Sequence, residues 1–194
     1  HTSCSRDWSS DVCSSDLARV LQAVSDIGPK LILHALATLL RVCIGFSIGS
    51  LLGMAVGAAM QYNKYLFQLL DGIIETFRPV PPVAVVPFFI LLFGFSETGK
   101  LLITVMGVGL LLTVTTVEAI ERVPVGVIRW GLVVGLSRRD LFRMVILPAA
   151  WVEMRSGFRI ALALAVSLVV VSEFLGATYG LGYLISVAKV TLTT

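Results

Sequence analysis

Polar positions are sparse along this chain, and their spacing cuts it into apolar runs of membrane-crossing length. After Arg41 no charge appears from 42 to 60. A second run, about 66–95, carries Asp71, Glu75 and Arg78 in its first half and no charge from 80 to 96. A third, about 99–119, is uncharged from 101 to 117. A fourth begins after Pro148 and centres on 160–172, and from 160 to 188 only Glu173 interrupts it. A membrane helix needs about 20 mostly apolar residues. The runs therefore predict an all-α, polytopic transmembrane bundle. Pro79, Pro81, Pro82 and Pro87 remove backbone donors, so the second run predicts a helix to about 77, a break, and a membrane helix to about 93. Broken backbone at membrane depth survives only where protein or a water-filled cavity surrounds it. Gly176, Gly180 and Gly182 predict a turn, with a further helix from 183.

Inside the first run, Gly45, Gly49, Gly53 and Gly57 recur every four residues. That spacing puts them on one helix face, a smooth groove where a second helix can approach closely. Composition agrees with lipid as the solvent. The 194 residues are 57% hydrophobic and 14% charged, with a mean hydropathy of +0.94. A soluble domain runs near 45–50% apolar and about 25% charged, and one domain of this length cannot hide the excess in a core. A soluble enzyme, a disordered chain and a nucleic-acid binder are all disfavoured. The net charge of +3 is small.

The basic residues fix an orientation. The stretch 121–147 holds Arg122, Arg129, Arg138, Arg139 and Arg143 against Glu121 and Asp140, while the other connections hold little charge. By the positive-inside rule this loop is cytoplasmic. Connections at 95–100 and 176–182 then lie outside and 61–65 inside. Apolar spacing at Leu132, Leu136, Leu141 and Val145 predicts two short helices joined near Gly135, whose apolar side needs a partner.

The ends read differently from the middle. Asp7 to Leu17 is polar and Ser/Asp-rich and resembles a translated sequencing-library adapter; 1–17 are set aside as an artefactual leader. Residues 18–35, with Pro29 and Lys30, predict a peripheral helix on the outer side, and 36–190 the transmembrane domain. The finish at 189–194 has no polar tail, so the chain reads as an internal piece of a longer product. With Cys4 and Cys13 in the leader, only Cys43 remains, a small hydrophobe rather than a disulfide or metal ligand.

Gly135, nine residues, then Val145-Ile146-Leu147-Pro148 resembles the cytoplasmic loop signature of ATP-binding-cassette (ABC) importer permeases, which opens with Glu-Ala-Ala. Other pieces are similar to the nitrate/sulfonate/taurine-type branch: Arg41 with Ile44-Gly45-Phe46-Ser47-Ile48-Gly49, Arg78-Pro79-Val80-Pro81-Pro82, Phe93-Gly94-Phe95-Ser96-Glu97-Thr98-Gly99-Lys100, Gly157-Phe158-Arg159-Ile160-Ala161-Leu162, Glu173, and Gly180-Leu181-Gly182-Tyr183-Leu184. The resemblance covers about 28–188. It implies a six-helix inner-membrane permease subunit, usually a homodimer in membrane lipid, of which this chain would hold the second to fifth helices. It also implies a cytosolic ABC ATPase that binds ATP and docks on the loop, no cofactor in this chain, and a periplasmic or lipid-anchored solute-binding protein. One position departs: Arg129, Trp130 and Gly131 stand where the signature has Glu-Ala-Ala. Glu118-Ala119-Ile120 lies too far from Gly135 to replace it.

The chain has no phosphate-binding Gly-x-x-x-x-Gly-Lys-Ser/Thr loop, and its two histidines, His1 and His34, stand far apart. Any chemistry resides in a partner. The resemblance makes 127–143 the handle an ATPase pushes: Arg129, Gly131, Gly135, Leu136, Ser137, Arg138, Leu147 and Pro148 form the coupling surface. Arg78, Pro79, Pro82 and Glu173 either line or gate the pathway, Arg78 attracting an oxyanion such as nitrate, sulfonate or taurine, or serve structure, with Glu75 and Arg78 pairing three apart and Arg159 near the headgroups. A carrier driven by an ion gradient also uses helices broken at Pro and Gly, but needs no basic two-helix loop. A membrane-embedded enzyme wants paired His or Asp on neighbouring spans, and Asp71 is the only Asp within one.

Overall fold

The computed structural model describes residues 11–192; for 11–27, 29, 30, 191 and 192 it describes the backbone alone. Residues 1–10, and with them most of the expected leader, lie outside the described residues. The described residues form helices and connecting turns. They are α1 (Asp11–Tyr62), α2 (Lys64–Phe77), a 3-10 turn (Pro82–Val85), α3 (Val86–Phe93), α4 (Glu97–Glu121), α5 (Val125–Val133), α6 (Arg138–Leu141), a π turn (Phe142–Ile146), α7 (Leu147–Gly176) and α8 (Leu181–Leu192). Three helices are long and apolar enough to cross a membrane, and a fourth span results if the bent pair Lys64–Phe77 and Pro82–Phe93 counts as one.

One expected boundary is absent. The separate peripheral helix at 18–35 and the span from 36 are a single helix, α1, whose apolar part runs Leu31–Tyr62. Pro29 costs one backbone bond but leaves φ helical, and no glycine or second proline follows it before Arg41 to end the helix. The break at 78–81 is real for the opposite reason. Pro79, Pro81 and Pro82 crowd together, and the chain turns by 83° between α2 and α3.

The four ladder glycines of α1 all face α4. A methyl group on Gly45 would stand 2.7 Å from Thr104 Cγ2, one on Gly49 2.9 Å from Val108 Cβ, and one on Gly57 2.7 Å from Thr116 Cβ. One on Gly53 would collide with the Gly109 carbonyl oxygen. The close approach also lets the Thr113 hydroxyl donate to the Gly53 carbonyl at 3.2 Å, across the helix pair. Helix α7 presents its own small residues to the bundle, including Gly157, Ala161 and Ala165. Val42 of α1, Val108 and Leu112 of α4, and Ala161, Ala165 and Val169 of α7 form the central core.

Outward faces stay apolar: Leu39, Leu51 and Ile160 are all more than half exposed. The charged residues gather in two belts instead. From Arg41 to Gln61 on α1, and from Glu153 to Glu173 on α7, 20 residues of helix at 1.5 Å each span about 30 Å. That matches the hydrocarbon thickness of a bilayer, about 30 Å. One belt carries Arg41, Glu97, Lys100 and Glu173; the other carries Gln61, Glu118, Glu121 and Arg122 beside the loop 121–147.

Candidate translocation path and coupling surface

At the end away from the loop, α1, the end of α7 and the start of α8 meet on one carboxylate, and the start of α4 joins through Arg41. The Glu173 side chain is fully buried, and Arg41 Nη1 donates to its Oε1 at 2.7 Å. The Thr38 hydroxyl lies 2.9 and 3.0 Å from its two oxygens, and the Gly182 amide donates at 3.1 Å. Arg41 also donates through Nε to Glu97 Oε2 at 2.6 Å and through Nη1 to the Tyr179 carbonyl at 2.9 Å. Lys100 adds a 3.0 Å contact to Glu97. His34 Nδ1 accepts the Gly180 amide at 2.9 Å while its ring stacks on Tyr179 and Tyr183. A buried charge left unpaired is costly, and here both Glu173 oxygens have partners. Among the described residues no buried side-chain nitrogen or oxygen lacks a partner.

Glycine is required around this knot. Gly180 adopts φ +133°, and a side chain there or at Gly182 would displace the Glu173 carboxylate or the α7 backbone. The sequence pattern singles out Glu173 but not Arg41, Thr38, His34 or Glu97 as its partners. The signal was present: Thr38 and Arg41 lie three apart on one face, and Arg41, Glu97 and Glu173 are the charges at matching depth on three spans.

Near the other end, Arg78 follows α2 directly. Its Nη2 donates to Glu118 Oε1 of α4 at 2.5 Å, and its Nη1 stands 3.5 Å from Glu75. Arg122 lies 3.5 Å from the second Glu118 oxygen. The Glu75–Arg78 pair therefore exists but is the longer contact; Glu118 is the principal partner, and no feature of its sequence neighbourhood points to Arg78. Pro82 and Gly107 bring the broken segment against α4: a methyl on Gly107 would stand 3.3 Å from Pro82 Cβ and 2.6 Å from Leu168 Cδ1. Between them lies a cleft of about 210 Å³ lined by Arg78, Pro82, Thr115, Glu118 and Leu164 among others. Pro79 is exposed at its edge and does not line it. Glu173 belongs to the other belt, so the four residues proposed for a pathway do not form one site.

The loop folds as two short helices about Gly135, whose φ of +85° suits glycine. The Leu136 amide closes the turn on the Gly131 carbonyl at 3.1 Å. Gly131 is buried, and a side chain there would meet Leu141 Cδ1. Ser137 caps α6, accepting from the Asp140 amide at 3.2 Å. Arg129, Ser137 and Arg138 are exposed, Leu136 is half-buried, and Arg138 lies over the Tyr62 ring at 6.0 Å. Trp130, Val133 and Val134 are exposed at 73, 78 and 76%. The apolar surface is thus not the expected stripe: Leu132 is exposed, but Leu141 is buried and Val145 half-buried. Leu147 and Pro148 are exposed at the start of α7. Proline has no amide hydrogen and its ring crowds the carbonyl four residues back. The π turn before it fits that constraint, with the Leu147 amide reaching the Phe142 carbonyl.

Residues 30–192 match the family model described as binding-protein-dependent transport system inner membrane component. The chain belongs to this family. It is 34% identical over 161 residues to the taurine transport system permease protein TauC of Escherichia coli, covering 83% of this chain and 58% of that protein. It is 32% identical over 156 residues to the putative aliphatic sulfonates transport permease protein SsuC of Bacillus subtilis, covering 80% of this chain and 56% of the relative. The chain thus spans somewhat over half the length of these relatives. A solved structure of the MetNI methionine ABC transporter superposes with a TM-score of 0.68 at 20% identity, covering 82% of this chain and 80% of that one. An amino acid ABC transporter structure gives 0.67 at 17%. The fold is therefore that of ABC transporter permeases, and this family member is a multi-pass membrane protein of the inner membrane.

Proposed function

We propose that this chain is the membrane core of an ATP-driven ABC importer permease, forming part of the path of a small solute. Family membership supports the reading, and so does similarity to taurine and sulfonate permeases. ATP is bound by a separate cytosolic ATPase, a solute-binding protein delivers from outside, and two permease copies enclose the path. The chain performs no covalent chemistry in this reading.

The observation that carries it is the exposed apolar cap of the loop. Trp130, Val133 and Val134 project from α5 and the turn, more than 70% exposed, at the belt opposite the knot. Exposed apolar patches of this kind mark docking surfaces. With Arg129 and Arg138 beside them, the surface suits an apolar pocket with acidic neighbours. Arg129 then carries a charge opposite to the family's glutamate and calls for a matching change in the ATPase. The loop is tied to α7 through the continuous stretch Arg138–Gly176, so a push on the loop moves α7 directly. Cysteine-free permease captured with its ATPase from detergent tests this. Val133→Asp should abolish capture, with the permease still monodisperse. Undiminished capture would remove the loop from the interface.

A further inference from the structure

Arg78 is not available to a simple anion, and what neutralises it points to the solute. Glu118 meets it at 2.5 Å, Glu75 and Arg122 stand 3.5 Å from this pair, and the four formal charges sum to zero. A monoanion approaching Arg78 must displace Glu118 and leave that carboxylate to Arg122 alone. It gains one ion pair by breaking another. A zwitterion loses nothing: its anionic end replaces Glu118 at the guanidinium while its cationic end takes Glu118 as a new partner. The cleft supplies the remaining requirements. Its apolar wall of Pro82, Leu164 and the α4 face leaves polar contact only at Arg78, Glu118 and Thr115. At about 210 Å³ it lies below the 300–1,000 Å³ typical of drug-sized ligands, which suits a small solute.

Resting on the permease reading, we propose that the Arg78–Glu118 cleft is a solute subsite for a small zwitterion, an aminosulfonate or amino acid with its two charges a few bonds apart. Arg78 holds the acid group, Glu118 the ammonium, and Glu118 sets the preference over plain anions. Relatives include both taurine and aliphatic sulfonate permeases, so the distinction has a natural test within one chemical series.

The complete permease, reconstituted in proteoliposomes with its ATPase and binding protein, is assayed for ATP-dependent uptake. The probes are taurine and β-alanine against ethanesulfonate and propionate, the same acids without the amine. Wild type should favour the zwitterions by at least about tenfold, the factor one charged hydrogen bond supplies. Glu118→Gln should lower zwitterion uptake about tenfold and leave anion uptake unchanged or raised. Arg78→Gln should lower both. An unchanged zwitterion-to-anion ratio in Glu118→Gln overturns the proposal. So does wild-type uptake of ethanesulfonate equal to taurine, or of neither, while the ATPase remains bound. Failure of the ATPase to associate at all would instead overturn the permease reading.

Discussion

The two ends of this bundle handle polarity in opposite ways. At the knot, Glu173 is buried and fully paired, and Arg41 ties α1, the start of α4 and the α7–α8 turn to one point. At the loop, Arg129, Ser137 and Arg138 are exposed and so are Trp130, Val133 and Val134. The knot is satisfied by this chain alone. The loop has an apolar cap that its own fold does not cover. Self-sufficiency at one end and an uncovered surface at the other fit the proposed permease reading, in which the knot is a pivot and the loop a handle that an ATPase grips.

The contrast can be broken most severely at the pivot. Glu173→Ala removes the acceptor for Thr38 and the Gly182 amide and one of the two carboxylates on Arg41. Breaking a buried pair costs about 3–5 kcal/mol, read as a lower unfolding midpoint in detergent. Glu97→Ala should cost far less, since Glu97 is 58% exposed and exposed pairs contribute about 1 kcal/mol or less. Equal losses would show that burial does not set the strength of this network.

The shaft between the two ends comes next. Gly53→Val drives a side chain into the Gly109 carbonyl and should cost about 1–3 kcal/mol as overpacking. Gly72 on α2 has nothing within 4 Å, so Gly72→Ala should stabilise by about 0.5–1 kcal/mol. Matching signs for the two substitutions would contradict the packing described for α1 and α4. At the handle, Gly135→Ala meets a left-handed backbone and should cost about 1–2 kcal/mol, lowering the unfolding midpoint. The smallest stability effect belongs to Val134→Asp, within about 0.5 kcal/mol of wild type, although ATPase capture should be lost.

Much of this was legible in the polar spacing. Charge-free runs located the spans, because lipid leaves no other solution for the backbone. The Gly ladder located the α1–α4 contact, because a four-residue repeat marks one face. Turn glycines located the α7–α8 and α5–α6 joints. The sequence could not show that 18–35 continues into the span, since a lone Pro after a polar stretch ends some helices and not others. Pairings across helices were also hidden. Arg78 lies three residues from Glu75 but bonds more closely to Glu118, 40 residues on. Which face of α4 meets the broken segment depends on Gly107 admitting Pro82, a tertiary fact. The loop's exposed apolar side was hidden for a related reason: Leu141 turns inward to fill the space above Gly131, leaving α5 and the turn to present Val133 and Val134.

The central claim is that the loop lies in the cytosol and the knot faces outside. With Cys4, Cys13 and Cys43 replaced by Ser, single cysteines at Val134→Cys and Thr178→Cys can be probed with a membrane-impermeant maleimide in intact cells or spheroplasts and after lysis. The account predicts that position 178 labels in the intact preparation and position 134 only after lysis, with co-expressed ATPase then shielding it. Labelling of position 134 from outside intact membranes would contradict it.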